Sequence, residues 1–437
     1  MSTARLLRST NPAPARAAAA TAAWNASESL MNAKIVRTVI TRMADDISKT
    51  LDPENATVLL TVQPNGNHFA NTLARKLDKL NFPVQENYID MRLIDGKLAL
   101  NVEPTINLKG RTILIAINAL TDGVLLDAVI QYCMLHHASQ VYCATLVNHT
   151  PARKSSLAAL QPNFCGFEGN PEHLAGFGFD IDGFFANERS IKAIRGSTPL
   201  ATSTTVSARE PIAKNEEVAA ETAEAKGNLA AVRNIVNTLD IVLTKKQVKA
   251  GIKKAAGELE KRLKDKAPII LTMQKGGSHF STYLMEQISG IAFEEAYMHM
   301  SRYGSSHHGG NIKTLATPSL SLEGRNVVIC DDLIEGGLTI AAAVEYCKSH
   351  GAAEVIVVTL GDKPHKRIAG CEGVKPDIVC FQFDSRFLVG TGLDEKDYHR
   401  NKFGMWAFPS VEAPKAAAIE QAEKTELAAL SNNTLSI

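Results

Sequence analysis

The feature that most constrains this chain is that it repeats itself once, over a distance longer than any solenoid unit. Leu108-Lys109-Gly110-Arg111 introduces an apolar run at 112–117, and Leu322-Glu323-Gly324-Arg325 introduces another at 326–330. Tyr132-Cys133 closes a helix-like stretch and recurs as Tyr346-Cys347, 214 residues on. The same offset takes Thr145-Leu146 onto Thr359-Leu360, Gly176 onto Gly390 and Asp180 onto Asp394. Upstream, His68-Phe69 recurs as His279-Phe280 at an offset of 211. Solenoid repeats have periods of about 20–50 residues, so a repeat this long implies a duplicated domain. A chain of 437 residues has room for two domains at roughly 100–200 residues each.

Each copy follows one order. A charged amphipathic helix (residues 32–49; 245–264) precedes a short apolar strand (58–62; 269–273) that runs into a turn. A helix, a variable middle, a strand, a glycine-bearing loop, a helix and another strand follow. Continuously apolar strands alternating with helices predict an α/β fold with a mainly parallel sheet covered on both faces. In such sheets ligands gather at the carboxyl ends of the strands. The loops after Met273, Cys330 and Leu360 are therefore where chemistry is expected.

Composition sets limits. Hydrophobic residues make up 45% and charged residues 21%, which excludes a wholly disordered, collagenous or coiled-coil chain. A formal net charge of +1 gives no electrostatic case for a nucleic-acid or membrane-surface binder. No uncharged apolar run approaches the roughly 18 residues needed to span a bilayer. Seven cysteines, with no C-x-x-C pair, read as reduced and mostly buried thiols.

Three segments lie outside the copies. Residues 1–27 carry Arg5, Arg8 and Arg16 among Ala, Ser and Thr with no acid. They read as a disordered tail in which Pro12 and Pro14 interrupt any helix, or as a mitochondrial transit peptide. Residues 196–227 read as a linker and 409–437 as a polar tail. The two copies then occupy 28–195 and 228–408. The cytoplasm is the expected location, with the mitochondrion as the alternative.

The strongest chemical signal is Val327-Val328-Ile329-Cys330-Asp331-Asp332-Leu333-Ile334-Glu335-Gly336-Gly337-Leu338-Thr339. An apolar strand delivers two adjacent acids, and a loop with two glycines opens a helix at 340–349 that Gly351 ends. Free backbone N–H groups and the positive helix end suit a phosphate, and glycines let the backbone approach it. Thr339 adds a hydroxyl. Carboxylates beside a phosphate cradle would repel phosphate but accept hydrogen bonds from sugar hydroxyls. Phosphate plus vicinal hydroxyls describes a ribose phosphate.

This stretch resembles the phosphoribosyl-pyrophosphate motif of type I phosphoribosyltransferases. Residues 228–408 resemble the hypoxanthine-guanine branch along their length. Gln274-Lys275-Gly276-Gly277 resembles its pyrophosphate loop, where a non-proline cis peptide precedes or includes the lysine. Ser301-Arg302-Tyr303-Gly304 resembles the start of a mobile lid, with 305–311 as its tip. Asp362-Lys363-Pro364 resembles the strand end whose lysine reads the purine 6-oxo group. Phe387-Leu388-Val389-Gly390 and Leu393-Asp394 resemble the base-stacking segment and a magnesium-binding aspartate. Arg400 falls where the family has a pyrophosphate-binding arginine.

The resemblance implies that Asp331, Asp332, Gly336, Gly337, Leu338 and Thr339 bind the ribose phosphate. It implies Lys275, Gly276 and Arg400 on pyrophosphate, Arg302 and Tyr303 on the lid, and Lys363, Phe387 and Leu388 on the purine. Asp394 would meet Mg2+, and Glu335 would act as acid/base where the family has aspartate. The implied substrates are phosphoribosyl pyrophosphate and a 6-oxopurine, with IMP or GMP as product. No nucleic acid or membrane partner is implied, and an intramolecular pseudo-dimer or a homo-oligomer is. Gly336 and Leu338 depart from the family's commoner polar residues. The His307-His308 pair reads as part of the lid tip, not a metal site.

The first copy lacks this chemistry. Asp331 and Asp332 become Ile117 and Asn118, and Glu335 becomes Thr121, although Gly123 remains. Lys275, Lys363, Phe387 and Arg400 become Pro64, His149, His173 and Ala186. The first copy is expected to be a phosphoribosyltransferase fold without a site. A scaffold or nucleotide-sensing role for both copies is the alternative outside enzymes, and transfer to another base such as xanthine is the alternative within them.

Overall fold

A computed structural model describes residues 12–64, 66–94, 97–172, 174–194, 200–202, 210–215, 223–236, 238–303 and 311–409. The lid residues Gly304 and 305–310, the His307-His308 pair, His173, most of the 196–227 segment, residues 1–11 and the tail beyond Pro409 lie outside them.

Helix α1 (Ala13–Ala26) precedes α2 (Ala33–Thr50). The first sheet comprises β1 (Val58–Gln63), β2 (Gln85–Ile94), β3 (Lys97–Val102), β4 (Thr112–Leu120), β5 (Gln140–Asn148) and β6 (Phe164–Glu168). Helix α3 (Asn67–Lys79) follows β1, and α4 (Val124–Leu135) follows β4. After α5 (Ala223–Val236) and α6 (Lys245–Leu263), the second sheet comprises β7 (Ile269–Gln274), β8 (Glu294–Tyr303), β9 (Asn311–Ala316), β10 (Asn326–Ile334), β11 (Glu354–Asp362) and β12 (Ile378–Gln382). Helix α7 (Gly277–Met285) follows β7, and α8 (Leu338–Ser349) follows β10.

The strand orders are β6-β5-β4-β1-β2-β3 and β12-β11-β10-β7-β8-β9, the same path in both halves. All neighbours are parallel except β2 with β3 and β8 with β9. Each half also has a small antiparallel sheet: Glu28–Met31, Ile191–Ala193 and Leu174–Ala175 in one, Asp240–Leu243, Met405–Ala407 and Leu388–Val389 in the other.

Local chemistry explains the framework. Asn32 caps α2 by accepting from the backbone N–H groups of Lys34 and Ile35, and Val36, Val39, Ile40, Met43 and Ile47 line its buried stripe. Thr244 and Gln247 form a capping box at the start of α6, whose Val248, Ile252, Ala255, Leu259 and Leu263 are buried. The central strands are apolar on both faces, so each sheet carries a core on either side.

The halves meet reciprocally. Asn71 on α3 donates to the Ser278 carbonyl and the Thr282 hydroxyl of α7, at 3.1 and 2.9 Å. Asn187 donates to the Met285 carbonyl at 3.1 Å, and its counterpart Asn401 donates to the Ala74 carbonyl at 2.9 Å. His68 lies 3.0 Å from Glu295, and His279 lies 2.8 Å from Glu86. Burial disfavours the charged His68 ring, but Glu295 overrides it and raises its pKa. Tyr88 meets His299 at 2.6 Å, and Tyr297 donates to Asp90. The two contacting faces thus present the same kinds of group to each other, the pattern of a two-fold interface.

Two expectations about the flanking segments change. Residues 13–26 form a helix, because Pro12 is its N-cap and Pro14 sits in the first turn, where a missing N–H leaves no intrahelical bond unmade. Arg16 on this helix is buried and pairs with the fully buried Glu294 at 2.7 Å, and Arg325 shares that carboxylate at 2.8 Å. The expected linker is partly structured too. Ala201–Thr202 pairs with β6 and Ala213–Lys214 with β5, extending the first sheet. Helix α5 begins at Ala223, inside the segment read as linker. All seven cysteines are free, and all but Cys380 are buried.

Candidate active site

The site lies at the carboxyl ends of β7, β10 and β11, where the loops after Met273, Cys330 and Leu360 were expected to gather. Strand β10 runs through the acid pair to Ile334, so Asp331 and Asp332 are held on sheet backbone. Asp331 accepts from the Asp332 N–H at 3.0 Å, and Asp332 accepts from the Leu333 N–H at 2.8 Å. Burial, then the neighbouring Asp332 charge, pushes the Asp331 carboxyl well above the ordinary range. Burial raises Asp332 as well, against the opposing pull of Arg400.

Gly337 then adopts a left-handed conformation, φ +88°, and caps α8. Its Cβ-free backbone turns the chain so that Leu338 and Thr339 open the helix with their N–H groups free of intrahelical partners. Gly276 faces Asp332 from the β7 loop, and Gly277 faces Asp331. A Cβ on Gly276 would stand 2.0 Å from the Asp332 Oδ2, so only glycine allows this approach. The Gln274–Lys275 peptide is cis, as the resemblance implied.

A second group of charges closes the other side. Lys275 Nζ donates to Asp397 at 2.6 Å. Arg400 pairs with Asp394 at 2.6 Å and with Asp397 at 2.9 Å, and donates to the Gly392 carbonyl at 2.8 Å. Asp394 also accepts the Asp397 N–H at 2.7 Å. Burial lowers the Lys275 pKa, with Asp397 opposing. Burial works against charge on Arg400, but Asp394 and Asp397 override it and raise its pKa. Asp397 itself resists burial through Lys275 and Arg400, which hold it below the usual carboxylate range.

The third element is Glu335. The buried Lys363 donates to it at 2.6 Å and to the Arg386 carbonyl at 2.7 Å. Burial works to raise the Glu335 carboxyl, but Lys363, with Lys366 behind it, holds it below the ordinary range. Phe387 is 53% exposed and meets Phe408 edge to face, so its ring has a free surface, while Leu388 is buried beneath. Arg302 and Tyr303 end β8 and pair by backbone with Ile312 and Asn311 of β9.

Two residues beyond the sequence-based set matter. Asp397 unites Lys275 and Arg400, and the acids at 394 and 397 were its only local signal. Arg367 braces the loop: it donates to the carbonyls of Glu335 (2.7 Å), Ile334 (3.2 Å) and Val374 (2.9 Å) and to the Asp362 carboxylate. Among the described residues no cluster of three or more His, Cys, Asp or Glu is set to hold a metal by itself.

Residues 238–396 match the family model described as "Phosphoribosyl transferase domain". A hypoxanthine-guanine phosphoribosyltransferase of Bacillus subtilis (strain 168) is 32% identical over 162 residues, which cover 37% of this chain and 88% of that protein. The chain belongs to the phosphoribosyltransferase family. It is a pentosyl-transferring enzyme. The hypoxanthine-guanine phosphoribosyltransferase of Streptococcus pyogenes serotype M3 is 30% identical, over 34% of this chain and 81% of the relative. Among solved structures, a hypoxanthine phosphoribosyltransferase of Staphylococcus aureus matches at 26% identity over 41% of this chain and 97% of that chain, with a TM-score of 0.38. No helix among the described residues is long and apolar enough to cross a membrane.

Proposed function

We propose that the second half transfers ribose 5-phosphate from phosphoribosyl pyrophosphate to N9 of a 6-oxopurine, hypoxanthine or guanine, as purine salvage requires. The names of the relatives support this substrate class. The observation that carries the reading is the acid pair at the end of β10, set between the left-handed Gly337 and the Lys275–Asp397–Arg400 network. The ribose hydroxyls would donate to Asp331 and Asp332, and the 5-phosphate would accept from the amides of residues 336–339.

In the reaction the anomeric carbon–oxygen bond breaks, pyrophosphate leaves with the electron pair, and the carbon bonds to N9. Lys275 and Arg400 neutralise the leaving group's charge as it develops. Lys363 has three N–H donors and spends two on Glu335 and the Arg386 carbonyl, so one is left for the purine 6-oxo group. Glu335, held ionised, accepts the proton that the purine loses along its imidazole edge. Phe387 offers an exposed ring for the base to stack on.

Magnesium fits the donors present. Asp332 and Asp394 are hard carboxylates that both feel the charge of Arg400, and Mg2+ needs only one or two protein carboxylates when substrate oxygens complete its shell. When bound it supplies charge neutralisation on the pyrophosphate. The matching strand paths and the reciprocal interface favour reading residues 28–195 as a degenerate copy that docks on the catalytic one, an intramolecular pseudo-dimer. The engagement of Arg16 with Glu294 favours the cytoplasm over import, since removing residues 1–27 would strip that buried pair.

The test is a turnover assay with phosphoribosyl pyrophosphate, Mg2+ and each of hypoxanthine, guanine, xanthine and adenine. Product IMP or GMP is expected, and loss of both in Asp331→Asn. Turnover with adenine alone, or with no base, would refute the assignment.

A further inference from the structure

Away from this site, a cleft of about 440 Å³ opens where the two halves meet. It shares no lining residue with the small cleft around Lys275 and Arg400. Eight of its lining residues are lysine or arginine and only two, Asp78 and Glu286, are acidic. That imbalance is notable in a chain of net charge +1. The cations come from both halves: Arg37, Lys76 and Lys79 from α2 and α3, and Lys245, Lys249 and Lys402 from the second half.

The two acids are already engaged, Glu286 with Arg75 at 3.4 Å and Asp78 with Lys402 at 4.0 Å. Among the described residues no carboxylate comes within ion-pair distance of Arg37, Lys76, Lys79, Lys245 or Lys249. Burial lowers the Lys76 pKa, and the charges of Lys79, Arg75, Arg37 and Lys245 lower it further. Lys245, exposed at the edge of the cleft, is lowered too, by partial desolvation and then by Lys79, Arg75 and Lys249. Lys76 and Lys79 at least sit in the last turn of α3, where the helix dipole favours cations. Lys245 sits at the first position of α6, where the dipole opposes it. These groups repel one another without an anion between them.

The aromatic residues hold the cations in place. Arg75 lies 4.3 Å over Tyr283, Tyr283 stacks on Phe403 at 4.0 Å, and Lys245 lies 5.5 Å over the Phe403 ring. Both outer faces of the ring pair are thus occupied by cations, so the column is a charged wall and not a platform for a base.

We propose that this inter-half cleft binds a polyphosphate chain, either free or as part of a nucleoside triphosphate, and that the anion clamps the two halves together. Its size is in the range of about 300–1,000 Å³ typical of small-ligand sites. Three linked phosphates match cations contributed from both walls. A ligand that bridges the halves in the folded chain alone raises the melting temperature as its concentration rises.

Calorimetry and thermal melts of the full chain with sodium tripolyphosphate, orthophosphate and ATP or GTP test this. Tripolyphosphate should bind and raise the melting temperature, with orthophosphate much weaker. In K79Q/K245Q/K249Q, whose sites are exposed, binding should fall roughly tenfold or more while turnover stays unchanged, since charged contacts dominate recognition. Each single glutamine variant should show a smaller loss, which keeps the test valid if the triple variant folds poorly. Tripolyphosphate can also enter the pyrophosphate region around Lys275, so Lys275→Ala should remove at most that second binding event and leave binding in the inter-half cleft intact. ATP or GTP binding tighter than tripolyphosphate would support the site and name nucleotides as its source; the reverse order would support it and name free polyphosphate. Binding abolished by Lys275→Ala but kept in the triple variant would overturn the proposal, as would tighter binding of a short oligonucleotide or no binding at all.

Discussion

In both halves a central strand runs into a glycine held in the left-handed region, Gly123 at φ +86° and Gly337 at φ +88°, and a helix begins on the next residue. In both an arginine laces that loop to the neighbouring strand. Arg153 reaches the Thr121 carbonyl, Asn148 at 2.6 Å and the Leu160 carbonyl at 3.1 Å; Arg367 does the same for the second loop. The side chains facing outward differ completely. Ile117 and Asn118 are buried, whereas Asp331 and Asp332 are partly buried and face Gly277 and Gly276. The loop's shape therefore depends on the glycine and the bracing arginine, and its chemistry depends on a few residues that can change without disturbing that shape.

Transplanting the first loop's residues into the second is the sharpest test of that separation. Asp331→Ile with Asp332→Asn should leave the circular dichroism spectrum intact and cut kcat/KM by about 10²–10⁴, since two charged hydrogen bonds are worth roughly 1.5–3 kcal/mol each. A folded double variant with full turnover would break the comparison.

Glu335→Gln should lower turnover by about 10²-fold, within the usual range for a general acid/base group. Lys363 holds this carboxyl below the usual glutamate pKa of about 4.3, so the ionised form persists on the acid side. Turnover should therefore stay level as pH falls until the depressed pKa is crossed. Lys363→Met should shift that acid limb to higher pH, and an unmoved limb in a pH–rate profile would detach Glu335 from it.

The bracing arginines should behave alike in stability and differently in activity. Arg153→Ala and Arg367→Ala should each cost roughly 3 kcal/mol, since each strands buried hydrogen-bond partners. Only Arg367→Ala should also reduce kcat/KM. Equal effects on activity would mean that the first loop shapes the second site.

A smaller effect lies at the interface. Burial, then the charges of Lys275 and Arg400, lowers the His299 pKa to about 4, and His299 stays neutral beside the Tyr88 hydroxyl. The unfolded chain takes up a proton near pH 6.5 that the folded chain refuses until about 4, so His299 stabilises above 6.5 and loses that contribution as pH falls toward 4. His68, raised by Glu295, works in the opposite direction. His299→Gln should make the melting temperature less sensitive to acid across this window. An unchanged slope would place the proton uptake elsewhere.

The sequence made the local features legible. The acid pair, the glycines and the opening of α8 are contiguous, so strand, turn and helix chemistry could be read together. Asp397 was not legible, because its meaning comes from Lys275, which is 122 positions away. The His68–Glu295 and His279–Glu86 pairs were hidden for the same reason. Pro14 misled because proline breaks a helix interior and not its first turn. The strands at 201–202 and 213–214 were hidden by composition, since short edge strands need only backbone to pair.

The reciprocal contact between the halves has a consequence for how the enzyme responds to dilution. Separate subunits exchange partners, and their pairing fades as they become scarce. Here both faces travel on one polypeptide, and the local concentration of each at the other is set by the connecting segment, not by how much protein the cell makes. The specific activity should stay constant from nanomolar to micromolar enzyme, and a newly made molecule needs no second molecule to complete its contact.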